Sequence, residues 1–175
     1  TICIPQEKGY PIAVLMGGAP GSGKSTYIKT NAKYLESDKI WKVDADAVRE
    51  YLPEYEGWNS SSTHQEARDI VNELISTFDK PCKHDLLYDG TMSNAKKYIP
   101  LIKDLKRMGY LVFIIYMDVP KEISVERAMN RYRDNVGGKT KYGRFVPMSV
   151  IDDFYNTGKE GLDDIKKSVD GYVVV

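Results

Sequence analysis

Gly17-Gly18-Ala19-Pro20-Gly21-Ser22-Gly23-Lys24-Ser25-Thr26 decides the reading of this chain. It follows an apolar run, Ile12-Ala13-Val14-Leu15-Met16, and precedes a helix-compatible segment from Ser25 to about Tyr34. Gly18 through Ser25 fit the phosphate-loop pattern G-x-x-x-x-G-K-[ST], with the strand before it and the helix after it both readable. Glycines let successive backbone N–H groups turn inward on a polyphosphate, which a Cβ would obstruct. The helix that follows offers its positive N-terminal end to the same anion. Gly18, Ala19, Pro20, Gly21, Ser22, Gly23, Lys24, Ser25 and Thr26 are therefore the expected nucleotide-binding residues. Lys24 supplies a point charge to the β- and γ-phosphates of ATP, and Ser25 a hydroxyl ligand for Mg²⁺.

Outward from this loop, 175 residues are about one domain's worth, and residues 1–175 are expected to form one unit. Lys and Arg (25) balance Asp and Glu (25), which disfavours broad charge-driven binding of nucleic acid. No apolar run approaches a membrane span, and no signal peptide is visible. Cys3 and Cys82 lack metal or redox spacing and read as structural thiols of a cytoplasmic protein.

The chain alternates strands and helices. Strands are expected at 12–17, 40–43, 86–88, 110–117 and 171–175. Between them lie helices at about 25–34, 47–52, 63–78, a segment ending at Gly109, one ending near Tyr132, and two more at about 147–156 and 159–168. Thr63 with Glu66 reads as a capping box, and Pro100 either sits in a first turn or kinks its helix. Such alternation predicts right-handed βαβ units and a parallel sheet, with ligands beyond the carboxyl ends of its strands. The loops after the strands, carrying the phosphate loop, Asp44 and Asp46, Asp89 and Thr91, and Asp118, then share one crevice.

Transfer of a phosphoryl group needs positioning, charge neutralisation and an acceptor for the attacking hydroxyl's proton. Asp44 and Asp46 end the second strand, and either one qualifies as general base or as helix cap. The expectation is Asp44 orienting and Asp46 catalytic. Asp89 stands where phosphate-loop proteins place a second carboxylate near Mg²⁺, and the glycine after it favours transfer over hydrolysis. Arg131, Arg133 and Arg144 flank a glycine-rich segment at about 133–146, expected to act as a lid that brings guanidinium groups to the phosphates. Lys121, Glu126 and Arg127 read as solvated helix-face charges, and His64 and His84 receive no role. Tyr51, Tyr55, Trp58 and Tyr142 lie in loops that could face an acceptor or complete packing.

These motifs, in this order, resemble the zeta toxins, phosphate-loop kinases of toxin–antitoxin systems. The matching residues are Gly17 to Thr26, Asp44-Ala45-Asp46, Asp89-Gly90-Thr91, Val119-Pro120-Lys121, Arg131 and Arg144. The resemblance implies an ATP- and Mg²⁺-dependent kinase acting on the 3′-hydroxyl of UDP-N-acetylglucosamine, with an antitoxin protein as partner. It implies a three-layer α/β fold with a five-stranded parallel sheet in the order 2-3-1-4-5, as in adenylate-kinase-like proteins. It assigns Lys24 to the phosphates, Asp46 to the base, Thr91 to the acceptor, and Arg131 and Arg144 to phosphate binding. Asp44, Asp46, Glu73, Asp89 and Thr91 would form the acceptor side, with Ser25 and Asp89 at the metal. The family's Glu-Gly-Thr is Asp-Gly-Thr here, and its acceptor-contacting helix glutamate is best matched by Glu73, with Glu66 second. The chain is also similar to phage-type polynucleotide 5′-kinases, through the phosphate loop, the strand-end Asp, Asp118-Val119-Pro120 and Val146-Pro147. A nucleotide-binding regulator without transfer is the remaining reading.

Overall fold

The computed structural model describes residues 9–76, 84–134 and 143–175. The elements run β1 (Ile12–Gly18), α1 (Lys24–Asn31), a 3₁₀ turn (Lys33–Glu36), β2 (Trp41–Asp44), α2 (Ala45–Arg49) and α3 (His64–Ser76). They continue with β3 (Leu86–Asp89), α4 (Ala95–Arg107), β4 (Leu111–Met117), α5 (Lys121–Asp134), α6 (Met148–Asp153), a π-helical turn (Phe154–Gly158), α7 (Leu162–Lys167) and β5 (Gly171–Val174). The sheet has the order β2-β3-β1-β4-β5, as the sequence predicts, and every pairing is parallel.

Alternation along β1 explains why helices cover both faces. Ala13 and Leu15 enter one apolar cluster, with Leu86, Tyr88, Val112 and Ile114 of neighbouring strands and Ile102 and Leu105 of α4. Val14 and Met16 point the other way, into a second cluster with Ile28 of α1, Leu35, Ile40 and Leu87. Leu15 and Met16 are fully buried, so neither face of β1 is open to water. The register places Met16 beside Asp89, Asp89 beside Asp44, and Gly18 beside Met117. The carboxyl ends of β2, β3, β1 and β4 thus reach a common edge, and the phosphate loop leaves from its middle.

Several boundaries differ from those predicted, each for a local reason. α1 stops at Asn31 because Ala32 leaves the helical region (φ −132°), and the chain tightens into the 3₁₀ turn. α2 starts at Ala45, ahead of the predicted Ala47, because the Asp44 side chain caps it. The Thr63 hydroxyl donates to the carbonyls of Asn59 (3.4 Å) and Ser60 (3.5 Å), while Glu66 faces Glu54, so the expected capping box is replaced by a local turn. Pro100 lies inside α4, past the first turn, and the helix runs on to Arg107. The β4–β5 ladder extends one residue beyond the strand, because Val175 N–H donates to Tyr116 and its carbonyl accepts from Asp118. Cys3, Cys82, Tyr142 and the middle of the expected lid lie outside the described residues.

Candidate active site

The phosphate loop is held from beneath and from the side. Gly18 N–H donates to the Thr91 carbonyl (3.0 Å), joining the loop's start to the segment after β3. Gly21 has φ +80°, and a Cβ there would stand 2.4 Å from the Ser124 carbonyl oxygen. Only glycine lets the loop lie this close to α5. The fully buried Ser124 closes the contact, its hydroxyl donating to the Pro20 carbonyl (2.5 Å). α1 then opens at Lys24 without a side-chain cap, so its first N–H groups have no side-chain acceptor and face the loop. Lys24 Nζ donates to the carbonyls of Gly18 (3.0 Å) and Ala19 (3.2 Å). Burial pulls its pKa down, and Asp89 opposes that shift.

Two carboxylates at the end of β2 have separate tasks. Asp44 Oδ1 accepts from Asp46 N–H (2.8 Å), which makes Asp44 the cap of α2. Burial raises its pKa, opposed by Arg144 first. Asp46 Oδ1 accepts from Arg49 Nη1 (2.7 Å), and its Oδ2 accepts from Arg144 Nη1. Asp89, beside Asp44 in the sheet, is pushed up to about 6 by burial, with Lys24 opposing. Its Oδ1 is buried without a hydrogen-bond partner among the described residues.

Arg131, near the end of α5, faces Tyr55, Asp89 and Asp44, and burial lowers its pKa. Nε and Nη2 of Arg131, and Nε of Arg144, are also buried without partners among the described residues. Unmatched guanidinium donors and a carboxylate oxygen around a cradle that only glycine can line suit a polyphosphate with Mg²⁺. Ser25, Lys24, Arg131, Arg144 and Asp89 would hold such a group. Arg133 is exposed and lines an outer groove of α5 instead.

These parts surround a crevice of about 720 Å³. Its walls include the loop from Pro20 to Thr26, Asp44, Asp46, Asp89, Thr91, Arg131 and Arg144. Thr91 Oγ1 lies 2.9 Å from Ser93 Oγ at one end. On α3 the lining residues are His64, Arg68, Val71 and Asn72. Glu73, the expected acceptor contact, lies exposed and off this wall, one helical position beyond Asn72.

Sequence reasoning missed four residues here. Arg127, a solvated helix-face charge by its place in the sequence, reaches its Nη1 toward the Ser22 carbonyl (3.5 Å) at the loop. Its i, i+4 spacing from Arg131 was the available signal. Lys97, over the rings of Tyr88 and Tyr98, lines the crevice. Arg49 and His64 pair with each other behind Asp46. His64 carried no signal, because a tertiary approach brings it there.

The sequence profile of the zeta toxin family matches residues 2–175. The chain belongs to the zeta toxin family. It is 27% identical over 131 residues to toxin PezT of Streptococcus pneumoniae serotype 4, covering 71% of this chain and 51% of that toxin. It therefore spans about half of PezT. It is 25% identical over 156 residues to the adenylate kinase of Francisella tularensis subsp. novicida, covering 83% of this chain and 68% of that enzyme. A structure from the PezAT chromosomal toxin–antitoxin system of Streptococcus pneumoniae has the same fold (TM-score 0.72, 21% identity, 97% of this chain and 70% of that one). So does a chain of the AvrRxo1-ORF1:-ORF2 crystal structure with ATP (TM-score 0.71, 13% identity, 90% of this chain and 50% of that one). The fold is that of phosphate-loop kinases.

Proposed function

We propose that this chain binds ATP with Mg²⁺ on its phosphate loop and transfers the γ-phosphoryl group to a hydroxyl. The observation that carries this reading is the position of Asp46, held by Arg49 and Arg144 in the crevice that also contains Lys24. A carboxylate suits the base, since the acceptor proton is taken late in a loose transition state. Lys24, Arg131 and Arg144 supply the charge that the transferring group needs. Arg144 rests on Asp46 Oδ2 and would move to the phosphates, leaving that oxygen to the acceptor. The leading acceptor is the 3′-hydroxyl of UDP-N-acetylglucosamine, as zeta toxin membership suggests. Thr91, Arg68, Asn72 and Lys97 would contact it, with Asn72 taking the place expected of Glu73. An antitoxin protein belongs to the same proposal, because PezT is a toxin and its structural neighbour comes from a toxin–antitoxin system.

The test is incubation with radiolabelled ATP and Mg²⁺ against UDP-sugars and 5′-hydroxyl oligonucleotides. Label on a UDP-sugar is the expected result. Label on oligonucleotide alone replaces the acceptor, and tight ATP binding without transfer makes the chain a nucleotide-dependent regulator. Asp46→Asn should lower transfer by about 10²-fold or more with ATP affinity little changed. The same loss from Asp44→Asn, with Asp46→Asn active, would reassign the base.

A further inference from the structure

The phosphotransfer proposed above requires Asp46 to present one carboxylate oxygen in a fixed direction. The element carrying it gives little help, since α2 is only five residues long. The side chain is fixed from behind instead. Arg49, one helical turn on, is 1% exposed, and a guanidinium is costly to bury unless its donors are met. Nη1 donates to Asp46 Oδ1 at 2.7 Å, and Nη2 lies 2.9 Å from His64 Nδ1. The Tyr55 ring stands 6.0 Å from the same guanidinium.

The chemistry of the pair sets the state of the imidazole. Arginine stays charged and only donates, so His64 Nδ1 is the acceptor, the ring is neutral, and its proton sits on Nε2. An imidazolium would turn a second donor toward Arg49 and break the contact. The charged groups facing His64 are Arg49 from α2, Arg68 from its own helix α3 and Lys97 from α4. Burial of the ring first, and then these three cations, hold His64 below its ordinary value of 6.5.

We infer that neutral His64, through Arg49, is a positioning residue for Asp46, so that the crevice presents a correctly aimed base only while this imidazole accepts from the guanidinium. The inference rests on the kinase reading, and its effect falls on turnover more than on ATP binding. It also gives transfer an acid limit set at α3, outside the phosphate loop.

Arg49 is wholly buried and its removal endangers folding, so His64, at the rim of the crevice with its ring turned in toward Arg49, is the better handle. His64→Leu should lower kcat for acceptor phosphorylation about tenfold, the size of effect typical of an outer partner that orients a working group, with KM for ATP unchanged. His64→Asn, whose amide oxygen falls near the place of Nδ1, should lose less. The acid limb of kcat in the unaltered chain should track the His64 midpoint, below 6.5, and should move to lower pH in His64→Asn. ¹⁵N NMR of the imidazole supplies a readout independent of activity. At pH 7 it should show a neutral ring protonated on Nε2, and the ring should titrate at higher pH in Arg49→Gln. A ring protonated on Nδ1, or turnover unaffected by His64→Leu, overturns the inference. An unaltered chain that phosphorylates no acceptor overturns the kinase reading first, and the role of His64 in catalysis with it.

Discussion

A carboxylate buried at a strand end with one oxygen unmatched resists ionisation. Asp89 is in that position, and burial lifts its pKa from 3.8 to about 6. The folded chain therefore holds this proton more tightly than the unfolded one. The resulting stability is present below pH 3.8 and is lost as pH rises through about 6. A two-unit shift is worth about 3 kcal/mol. Asp89→Asn, which never ionises, should raise the Tm of the nucleotide-free protein by about 6–12 °C at pH 8 and by about half as much at pH 5. On the proposed function it should also abolish Mg²⁺-dependent transfer, because Asp89 would be the carboxylate that holds the metal. Thermal melts at the two pH values check this, and an equal gain at both would show that ionisation is not the cause. Asp44, Asp46 and Asp89 were legible as candidates because each ends a strand at the carboxyl edge, although the sequence left capping and catalysis open between Asp44 and Asp46 and the structure makes Asp44 the cap of α2. Arg49 and His64 were hidden. Their meeting depends on the turn at residues 53–63 bringing the start of α3 back over α2, which no spacing in the chain encodes.

At the scale of elements, α5 acts as a wall for the phosphate loop. Its outward signal was ordinary, a charged helix after a buried strand. Its inward contacts include the Ser124 hydroxyl on the Pro20 carbonyl, the Ser124 carbonyl against Gly21 and Arg127 Nη1 toward the Ser22 carbonyl. Gly21→Ala would combine a disfavoured positive φ with a Cβ only 2.4 Å from the Ser124 carbonyl oxygen, on backbone that cannot turn aside. The loop and α5 would have to separate, at a cost of roughly 2 kcal/mol or more. A matching fall in denaturation midpoint, with weakened ATP binding, is expected. Unchanged stability with weakened binding would mean that the loop alone had shifted. Ser124→Ala removes the hydroxyl and leaves the backbone contact, so its loss should be smaller, about 1 kcal/mol. The order of elements was readable because apolar runs of strand length alternated with helical segments. Their ends were less so. Where α1 stops and where α2 starts are decided by single backbone and capping choices at Ala32 and Asp44.

Across the whole molecule, the sheet order follows from chain sense. Crossovers from β1 to β2 and back to β3 on one side, then to β4 and β5 on the other, leave β1 central. The strand that feeds the phosphate loop is thus the most enclosed, and both apolar clusters pack against it. A ligand on this loop is tied to β1, to α5 through Ser124 and to the segment after β3 through Gly18 and Thr91. Binding should therefore stabilise the cooperative unit and not a loop alone. Ligand at a hundredfold excess over Kd adds about 2.7 kcal/mol to the folded state. For a domain of this size that corresponds to a rise in Tm of about 5–10 °C. On the proposed function the shift should appear with ATP and Mg²⁺, shrink when the metal is chelated, because Ser25 and Asp89 would then have no cation to share with the phosphates, and vanish in Lys24→Ala. A full shift in Lys24→Ala would place the nucleotide elsewhere in the crevice and remove the basis for assigning the loop as its seat.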